Sequence, residues 1–358
     1  MVKYIIKRSL YGVLVVFGVV TLVFFLFNIL PGDPSKMLLG QRSDEASIEA
    51  IRKDLGLDKP IYIQYFSYLN DLSPISFHSA EAESFWFYDQ EKYQSSKALL
   101  SLGKSKIVIK KPYLRRSYQS KKPVTDIISE SFPQTALLAL VAIAFAIVVG
   151  VTIGVFCALF RDSWFDKISL MVSVVGMSLP SFFAAILIAW IFAYLLHDIT
   201  GLNMIGSMYS VDNFGDGEYL DLKNLILPAI TLGIRPLAVI IELTRSSVLE
   251  VLSQDYVRTA YAKGLKTPKV VWSHVVKNSM NPVVTAISGW LASMLAGAVF
   301  VEYIFDWKGI GIVIVDALDK YDFPVLMGAL LFVSIILVLI NIIVDIIYGL
   351  LDPKIRLS

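Results

Sequence analysis

Long apolar runs alternate with short polar segments along this chain of 358 residues. A helix needs about 20 apolar residues to cross the roughly 30 Å hydrocarbon core of a bilayer. The pattern therefore predicts an all-α integral membrane protein with six transmembrane helices. The predicted spans are residues 9–30, 136–160, 168–196, 225–243, 282–301 and 325–344.

The first run predicts a retained membrane anchor over residues 1–30. Lys3, Lys7 and Arg8 precede it, and its apolar part is longer than that of a secretory signal peptide. The sequence Pro-Gly-Asp-Pro at 31–34 follows in place of a small-residue cleavage site. We therefore expect this segment to stay in the mature protein.

Prolines and charges mark the third and fourth runs. Pro180 lies in the middle of the third, where the missing amide hydrogen predicts a kink. The fourth contains Pro228, Pro236 and Arg235. An arginine near the centre of a span costs about 2.5–3.5 kcal/mol to insert, so Arg235 is expected to face protein or water. Two interpretations remain open for it: a contact with a substrate carboxylate in a pathway, or a structural bond to a carbonyl freed by Pro236.

The distribution of basic residues predicts that both termini are cytoplasmic. Short cytoplasmic loops are enriched in Lys and Arg, whereas loops longer than about 60 residues cross largely regardless of charge. With the N-terminus inside, the two short outer loops hold only Lys223, Lys308 and Lys320, and residues 31–131 form a large extracytoplasmic loop. The inner bases are Lys3, Lys7, Arg8, Arg161, Lys167, Arg245, Arg258, Lys263, Lys266, Lys269, Lys277, Lys354 and Arg356.

One polar interval, residues 254–282, separates the fourth and fifth spans. Its first part predicts a short helix with one side formed by Tyr256, Val257, Ala260, Tyr261, Gly264 and Leu265. Gly264 suits a chain reversal at positive φ, and Thr267 followed by Pro268 predicts the N-cap and first position of the next helix. By itself this interval is also compatible with an ordinary amphipathic connector at a membrane surface.

Composition argues against several functional classes. The chain is 56% hydrophobic with a formal net charge of +2, which favours a membrane protein and not a nucleic-acid partner. The single cysteine, Cys157, lies in an apolar run, and the three histidines are too far apart for metal-ligand spacing; we expect each to be a polar loop or interface residue. Gly103-Lys104-Ser105 lacks the first glycine of a phosphate-binding loop. We therefore expect no catalytic residues, no metal and no cofactor, and predict that the chain is not an enzyme.

The string DYVRTAYAKGL at 255–265 resembles the cytoplasmic "EAA" loop of binding-protein-dependent ABC importer permeases, in particular the dipeptide, oligopeptide and nickel branch. Arg258, Thr259 and Ala260 occupy the triplet, and Gly264 stands at the motif's glycine. Other stretches also look like this branch. They are residues 31–34, 55–65, 113–124, 297–311 and 341–356.

The resemblance implies a permease subunit whose short helix is a coupling helix that sits in a cleft of an ATPase. The implied coupling residues are Asp255, Tyr256, Arg258, Thr259, Ala260, Ala262, Lys263, Gly264 and Leu265. Implied partners are a homologous second permease, two cytoplasmic ATP-binding subunits, an extracytoplasmic substrate-binding protein, a peptide or small solute, and the lipid bilayer. A nickel chelate or another non-peptide solute remains an alternative substrate, and a membrane-anchored sensor or assembly protein an alternative function.

The resemblance also divides the chain. Residues 31–131 contain a segment, about 73–112, without a recognisable counterpart, which predicts an insertion. Residues 132–351 form the expected five-helix core with the loop 245–282, and residues 352–358 a cytoplasmic tail. In the core, Gly309 and Gly311 suit a tight turn outside the membrane, and Trp307 an anchor at the membrane interface.

Overall fold

The computed structural model consists mainly of helices, with two small sheets. It describes residues 2–29, 49, 52–53, 56–81, 84–89, 92–93, 96–211 and 217–351. The predicted tail at 352–358 and the motif at 31–34 lie outside the described residues.

The elements follow one another in this order. The helices are α1 (Val2–Ile29), α2 (Ile61–Leu72), α3 (Val124–Leu159), α4 (Trp164–Ser178), α5 (Ser181–Ile188), α6 (His197–Thr200), α7 (Lys223–Leu252), α8 (Asp255–Ala262), α9 (Thr267–Val270), α10 (Lys277–Gly297), α11 (Val299–Phe305), α12 (Ile310–Asp319) and α13 (Phe323–Leu351). Two π-helical segments, Ala189–Leu195 and Val271–Val276, continue α5 and lead into α10. The strands are β1 (Ile75–Ser79), β2 (Lys97–Leu102), β3 (Ser105–Ile109), β4 (Tyr209–Val211) and β5 (Glu218–Leu220).

Among the described residues, four helices are long and apolar enough to cross a membrane, namely α1, α3, α7 and α13. Two bent helix pairs raise the number to six if each pair is a single span. The first pair, α4 with α5 and its π-helical extension, bends by 114°. Pro180 lies at this break with an extended backbone, φ −59° and ψ 139°, so the predicted kink is present as a full interruption of the helix.

The first compact unit, here unit 1, consists of residues 1–15, 131–312 and 333–358. In its apolar core Leu138 and Ala142 of α3 pack with Leu225 and Ala229 of α7 and with Trp307. Of the most apolar stretch of α7, 61% is buried, against 28% for α1, 33% for α3 and 22% for α13. The helices α4, α5, α10 and α11 pack against α7, and α3 shares the apolar core with it.

The second compact unit, here unit 2, consists of residues 16–130 and 313–332 and contains an antiparallel sheet of order β1-β3-β2. β-Branched residues such as Ile107, Val108 and Ile109 favour this strand structure. The prediction of an all-α chain is therefore too narrow, because a three-stranded sheet lies within the predicted insertion. Gly103, at φ 58°, lies in the turn between β2 and β3, so the Gly-Lys-Ser string belongs to a hairpin.

A buried carboxylate, Asp71 at the end of α2, connects unit 2 internally. The hydroxyl of Tyr93 donates to Asp71 at 2.7 Å, the Nε of Arg115 donates at 2.9 Å, and Lys110 donates to the Asp71 carbonyl. Burial favours the neutral acid, but Arg115 and Lys92 outweigh it and hold the pKa of Asp71 below its usual value. Burial also lowers the pKa of Lys110, to about 8.

One of the three histidines departs from the sequence prediction. His78 is neither in a loop nor at an interface, since it lies buried in β1 with its Nε2 2.9 Å from the Ser76 hydroxyl. The side chains of β1 alternate between the two faces of the sheet, and this register places His78 on the covered face. Burial lowers the pKa of His78, which favours the neutral ring.

Candidate functional site

The polar interval after α7 folds as the short helix α8, a reversal and the short helix α9. Val257 and Ala260 are buried, with 1% and 6% of their surface exposed. They pack in an apolar cluster with Val155 of α3, Val248 of α7 and Val271 of the π-helical segment. α8 is thus seated on unit 1 by a few small apolar side chains.

The reversal after α8 depends on Gly264, which has φ +78°. This confirms the prediction that the residue adopts a backbone conformation that other residues resist. The Gly264 amide donates to the Tyr261 carbonyl at 2.9 Å, and the Leu265 amide donates to the Ala260 carbonyl at 3.3 Å. No atom lies within 4 Å of the position that a Cβ of Gly264 would occupy. The space over this glycine is therefore open.

Most of the predicted coupling residues project away from unit 1. Tyr256 and Tyr261 are 44% and 41% exposed, whereas Val257, which the helical pattern groups on the same side, is buried. Arg258 lies 3.5 Å from Asp255, and both side chains are largely exposed. Ion pairs of this kind contribute about 0–1 kcal/mol, so their groups remain available to a partner. The exposed face consists of Asp255, Tyr256, Arg258, Thr259, Tyr261, Ala262, Lys263 and Gly264.

Two details of the predicted loop differ in the structure. Ala260 is buried, and Leu265 is partly buried beside the same cluster, so these two residues seat the helix and do not form its exposed face. The N-cap of α9 is Lys266, with an extended backbone at ψ 143°, which makes Thr267 the first helical residue. Fewer residues of this loop are buried than the one-sided helical pattern contains, because a short helix on a surface buries few residues per turn.

A partly buried ion pair joins α7 to α4 two turns before the end of α7. The guanidinium of Arg245, in the last part of α7, donates to Asp166 through Nε at 2.6 Å and Nη2 at 2.7 Å. Asp166 also accepts from the Asp162 amide at 3.0 Å, and its side chain is 2% exposed. The sequence pattern did not predict this pair, whose members are 79 residues apart. The available signal was opposite charges at the ends of two predicted spans on the same predicted side.

Arg235 lies on the exposed side of α7. Among the described residues it has no hydrogen bond or ion pair, whereas its neighbour Pro236 is buried. Glu242 and Ser246 are exposed on the same face, at seven and eleven residues' distance. The exposed part of the most buried span is therefore polar.

The helix α10 also exposes small or polar residues at four-residue steps. Asn281, Thr285, Gly289 and Ser293 are exposed, whereas Val283 is buried against Ile240 of α7. By contrast, α1 exposes Leu10, Val13 and Leu14 at 66–68%, as expected of a surface in contact with lipid. α7 and α10 thus carry the polar exposed faces of unit 1.

Comparisons with known proteins identify the family. The family model for the binding-protein-dependent transport system inner membrane component matches residues 150–357, and the model for its N-terminal part matches residues 1–82. The di/tripeptide transport system permease protein DppB of Pseudomonas aeruginosa is 36% identical, over 99% of both chains. The dipeptide permease protein DppB of Alkalihalophilus pseudofirmus is 32% identical, over 99% of this chain and 100% of that protein. The glutathione permease protein GsiC of Escherichia coli strain K12 is 32% identical over 99% of both chains.

This chain belongs to the family of binding-protein-dependent transport system inner membrane components. The resemblance found in the sequence is confirmed, and the chain is a permease subunit of an ABC importer. The fold agrees, since a chain of the inward-facing MetNI methionine ABC transporter superposes with a TM-score of 0.50 at 15% identity, over 64% of this chain and 97% of that chain. The matched range 150–357 includes both α8 and Arg235.

A further junction in this permease was misread from its sequence. Trp307 is fully buried and donates from Nε1 to the Gln134 carbonyl at 3.0 Å, so it is not an interface anchor. The buried Glu302 accepts from the Thr135 hydroxyl and from the Gly311 amide, each at 2.7 Å. Gly311 has no positive φ; a Cβ there would lie 2.6 Å from the Glu302 carboxylate. The glycine is needed for close approach and not for a special backbone angle.

The described part of this permease contains no group of three or more His, Cys, Asp or Glu side chains placed to hold a metal ion. Cys157 is buried and free. The surfaces that remain as functional candidates are the exposed face of α8 and the polar faces of α7 and α10.

Proposed function

We propose that this permease moves short peptides across the cytoplasmic membrane, driven by ATP hydrolysis on separate subunits that dock on α8. The observation that carries the proposal is the exposed face of α8, held on a packed support and followed by an open, positive-φ Gly264. The named relatives are permeases for dipeptides, di/tripeptides and glutathione, which supports a peptide substrate. The partners are a second, homologous permease, two ATP-binding subunits and an extracytoplasmic binding protein.

The seat of α8 suits a part that transmits motion. Val257 and Ala260 bind α8 to the ends of α3 and α7, and Arg245 joins α7 to the start of α4 through Asp166. A displacement of α8 by an ATPase would therefore move several helices together, because packed interfaces shift between discrete arrangements and do not deform continuously. ATP-driven closure of the ATPase pair would in this way alternate the exposure of a central site.

The polar faces of α7 and α10 are proposed to line the pathway. A charged side chain within a span requires water or protein partners, and Arg235 has none among the described residues of its own chain. Facing a water-filled pathway between two permeases satisfies this requirement, and a guanidinium there suits the carboxylate of a peptide. The distribution of basic residues supports a cytoplasmic position for α8 and both termini.

The insertion at about 73–112 is proposed as an extracytoplasmic accessory that is integrated with its flanks. Tyr93 and Lys110, inside the insertion, hydrogen-bond with Asp71, which precedes it. A clean deletion would leave Asp71 with fewer partners. Residues of the insertion should therefore be tested by substitution and not by removal of the whole segment.

Charge reversal on α8 tests the docking proposal. Arg258→Glu together with Lys263→Glu changes two exposed side chains that make no packing contact with the cluster under α8. We expect normal membrane insertion, loss of co-purifying ATPase subunits and loss of peptide uptake. The matched control is Lys269→Glu, an exposed base on α9 outside the proposed face, which should leave both unchanged.

Retention of the ATPase subunits and of uptake in the double variant would show that α8 is only a connector, as expected of a membrane-anchored sensor. A nickel chelate or another non-peptide solute is distinguished separately. The double variant would then lose its ATPase subunits as expected, while the wild-type transporter takes up the non-peptide solute and no peptide. That result would support the coupling role of α8 and contradict the proposed peptide substrate.

A further inference from the structure

Unit 2 contains a basic cavity that lies outside α7, α8 and α10, the elements to which the proposed function assigns roles. Its volume is about 290 Å³, and it is lined by Lys92, Arg115, Arg116 and Lys121, with Asp71 as its one acidic residue. Four cationic side chains thus surround a cavity with a single carboxylate.

The carboxylate is already occupied by its own partners. Asp71 is 2% exposed and accepts from Tyr93 and Arg115, while Lys92 lies 3.8 Å away. Arg116 and Lys121 are exposed and form no ion pair with any acidic residue in the described part of the chain. The cavity therefore presents excess positive charge.

The segment that carries these bases is held in a fixed conformation. Arg115 and Lys121 both have positive φ, 66° and 59°, which side chains resist unless the surroundings impose it. Asp322 holds the chain between them, because its carboxylate accepts from the Ser117 hydroxyl and from the Tyr118 amide at 2.9 Å. Arg116 and Lys121 thus belong to a segment of fixed backbone that lines the cavity.

The helix α2 forms one wall of the cavity and packs on the C-terminal part of α1, which the proposed orientation of the permease places at the outer side of the membrane. Tyr65 of α2 hydrogen-bonds Thr21 of α1 at 2.7 Å, and Tyr68 stacks on Phe24 at 5.6 Å. Both contacts fall in the last third of the apolar stretch Ile6–Phe27. On an adjacent face, α2 exposes Tyr62 and Phe66 at 60% and 57%. Exposed aromatic residues beside a span are typical of the membrane interface, where phospholipid headgroups lie.

We infer that this cavity binds the phosphate of an anionic phospholipid in the outer leaflet, with Arg116 and Lys121 as its main contacts. A guanidinium and an ammonium suit a phosphate, which accepts several hydrogen bonds at once, and Ser67 and Tyr113 add hydroxyl groups to the lining of the cavity. The exposed aromatic face of α2 then lies beside the acyl chains of the same lipid. This position favours a lipid over an acidic side chain of a partner protein, which would need no apolar face next to the cavity.

Native mass spectrometry of the full-length chain in detergent, with equal amounts of phosphatidylglycerol and phosphatidylcholine, tests the inference. We expect selective retention of phosphatidylglycerol. Arg116→Gln with Lys121→Gln should weaken it roughly thirtyfold, since each base near an anionic surface contributes about fivefold. The matched control, Lys97→Gln with Lys104→Gln, removes two exposed bases from the same unit outside the cavity and should change retention less than about twofold.

Equal retention in the cavity variant and the wild type would overturn the inference, as would equal loss in the control. Complete displacement by inorganic phosphate would show a free-anion site instead of a lipid site. Loss of a co-purifying binding protein with phosphatidylglycerol retained would assign the cavity to protein docking. Should the double variant unfold, Lys121→Gln alone gives a second test, with an expected loss of about fivefold.

Discussion

Two chain reversals of this permease, at Gly264 and at Gly309–Gly311, look alike in sequence and differ in construction. At Gly264 the backbone has positive φ, and the space where a Cβ would lie is empty. At Gly311 the backbone is ordinary, and a Cβ would lie 2.6 Å from both the Glu302 carboxylate and the Val299 Cα. Gly264 leaves a surface open, whereas Gly311 allows α12 to approach α11 closely.

The difference separates a surface for a partner from an internal joint. The polar side chains of α8 point outward and hold few of their own hydrogen bonds, so a partner could use them. The polar groups at the second reversal all point inward, where Thr135 accepts from the Ile310 amide at 2.8 Å and donates to Glu302. Substitutions should therefore affect coupling at the first reversal and stability at the second.

The largest effect is expected from Gly264→Asp. It should leave membrane insertion normal and lower peptide uptake at least roughly a hundredfold, because an uncompensated charge in a buried interface costs about 3–5 kcal/mol. The measurement is uptake, with ATPase stimulation by loaded binding protein in nanodiscs. Gly103→Asp is the matched control, since Gly103 also has positive φ and open space, and it should retain uptake.

Normal stimulation of the ATPase in Gly264→Asp would mean that no partner covers this reversal. Ala260→Asp is not a clean test, because Ala260 is buried.

Arg235→Met extends the comparison to the other outward-facing polar group. We expect uptake to fall about tenfold with assembly retained, because a hydrogen bond to a charged group contributes about 1.5–3 kcal/mol. Arg235→Lys keeps the charge and should restore part of the uptake. Loss of the assembled complex in Arg235→Met would instead give Arg235 a structural role.

Gly311→Ala tests the inward-facing reversal. The added methyl group has no room beside Glu302, so we expect destabilisation by roughly 1–3 kcal/mol and a lower yield of folded permease. Thermal unfolding in detergent measures it. Gly289→Ala is the control, because a Cβ at Gly289 meets no atom within 4 Å, and it should not destabilise. A Gly311→Ala protein with wild-type stability and impaired coupling would remove the distinction between the two reversals.

The smallest effect concerns Lys110, another inward-facing polar group. Burial lowers the pKa of Lys110 from 10.5 to about 8. Below about pH 8 the folded protein holds a buried charged ammonium, which lowers its stability. This loss of stability disappears as the pH rises from about 8 towards the unfolded pKa of 10.5. We expect the stability of unit 2 to rise by on the order of 1 kcal/mol between about pH 7 and about pH 9.5. Hydrogen exchange of β2 and β3, corrected for intrinsic rates, measures this. Lys110→Met should abolish the rise and the exposed-site control Lys104→Met should keep it; a rise in both variants would exclude Lys110 as its cause.

The sequence by itself determined the features that depend on local chemistry. Apolar runs of membrane length located the four long helices and the two bent helix pairs found among the described residues. Pro180 marked a break because it lacks an amide hydrogen, and Gly264 marked a positive-φ reversal. The string at 255–265 also gave the family. These signals are local, because each is set by residues adjacent in the chain.

Only the tertiary structure decided which side of each element is covered. It paired Arg245 with Asp166, buried Trp307 and Glu302, folded the insertion into a sheet, and left Arg235 exposed on the most buried span. The helical pattern grouped Tyr256 and Tyr261 with Val257 and Ala260, and the structure buries only the last two. The physical reason is that hydrophobic periodicity defines a face of a helix, whereas the width and partners of that face depend on residues distant in sequence.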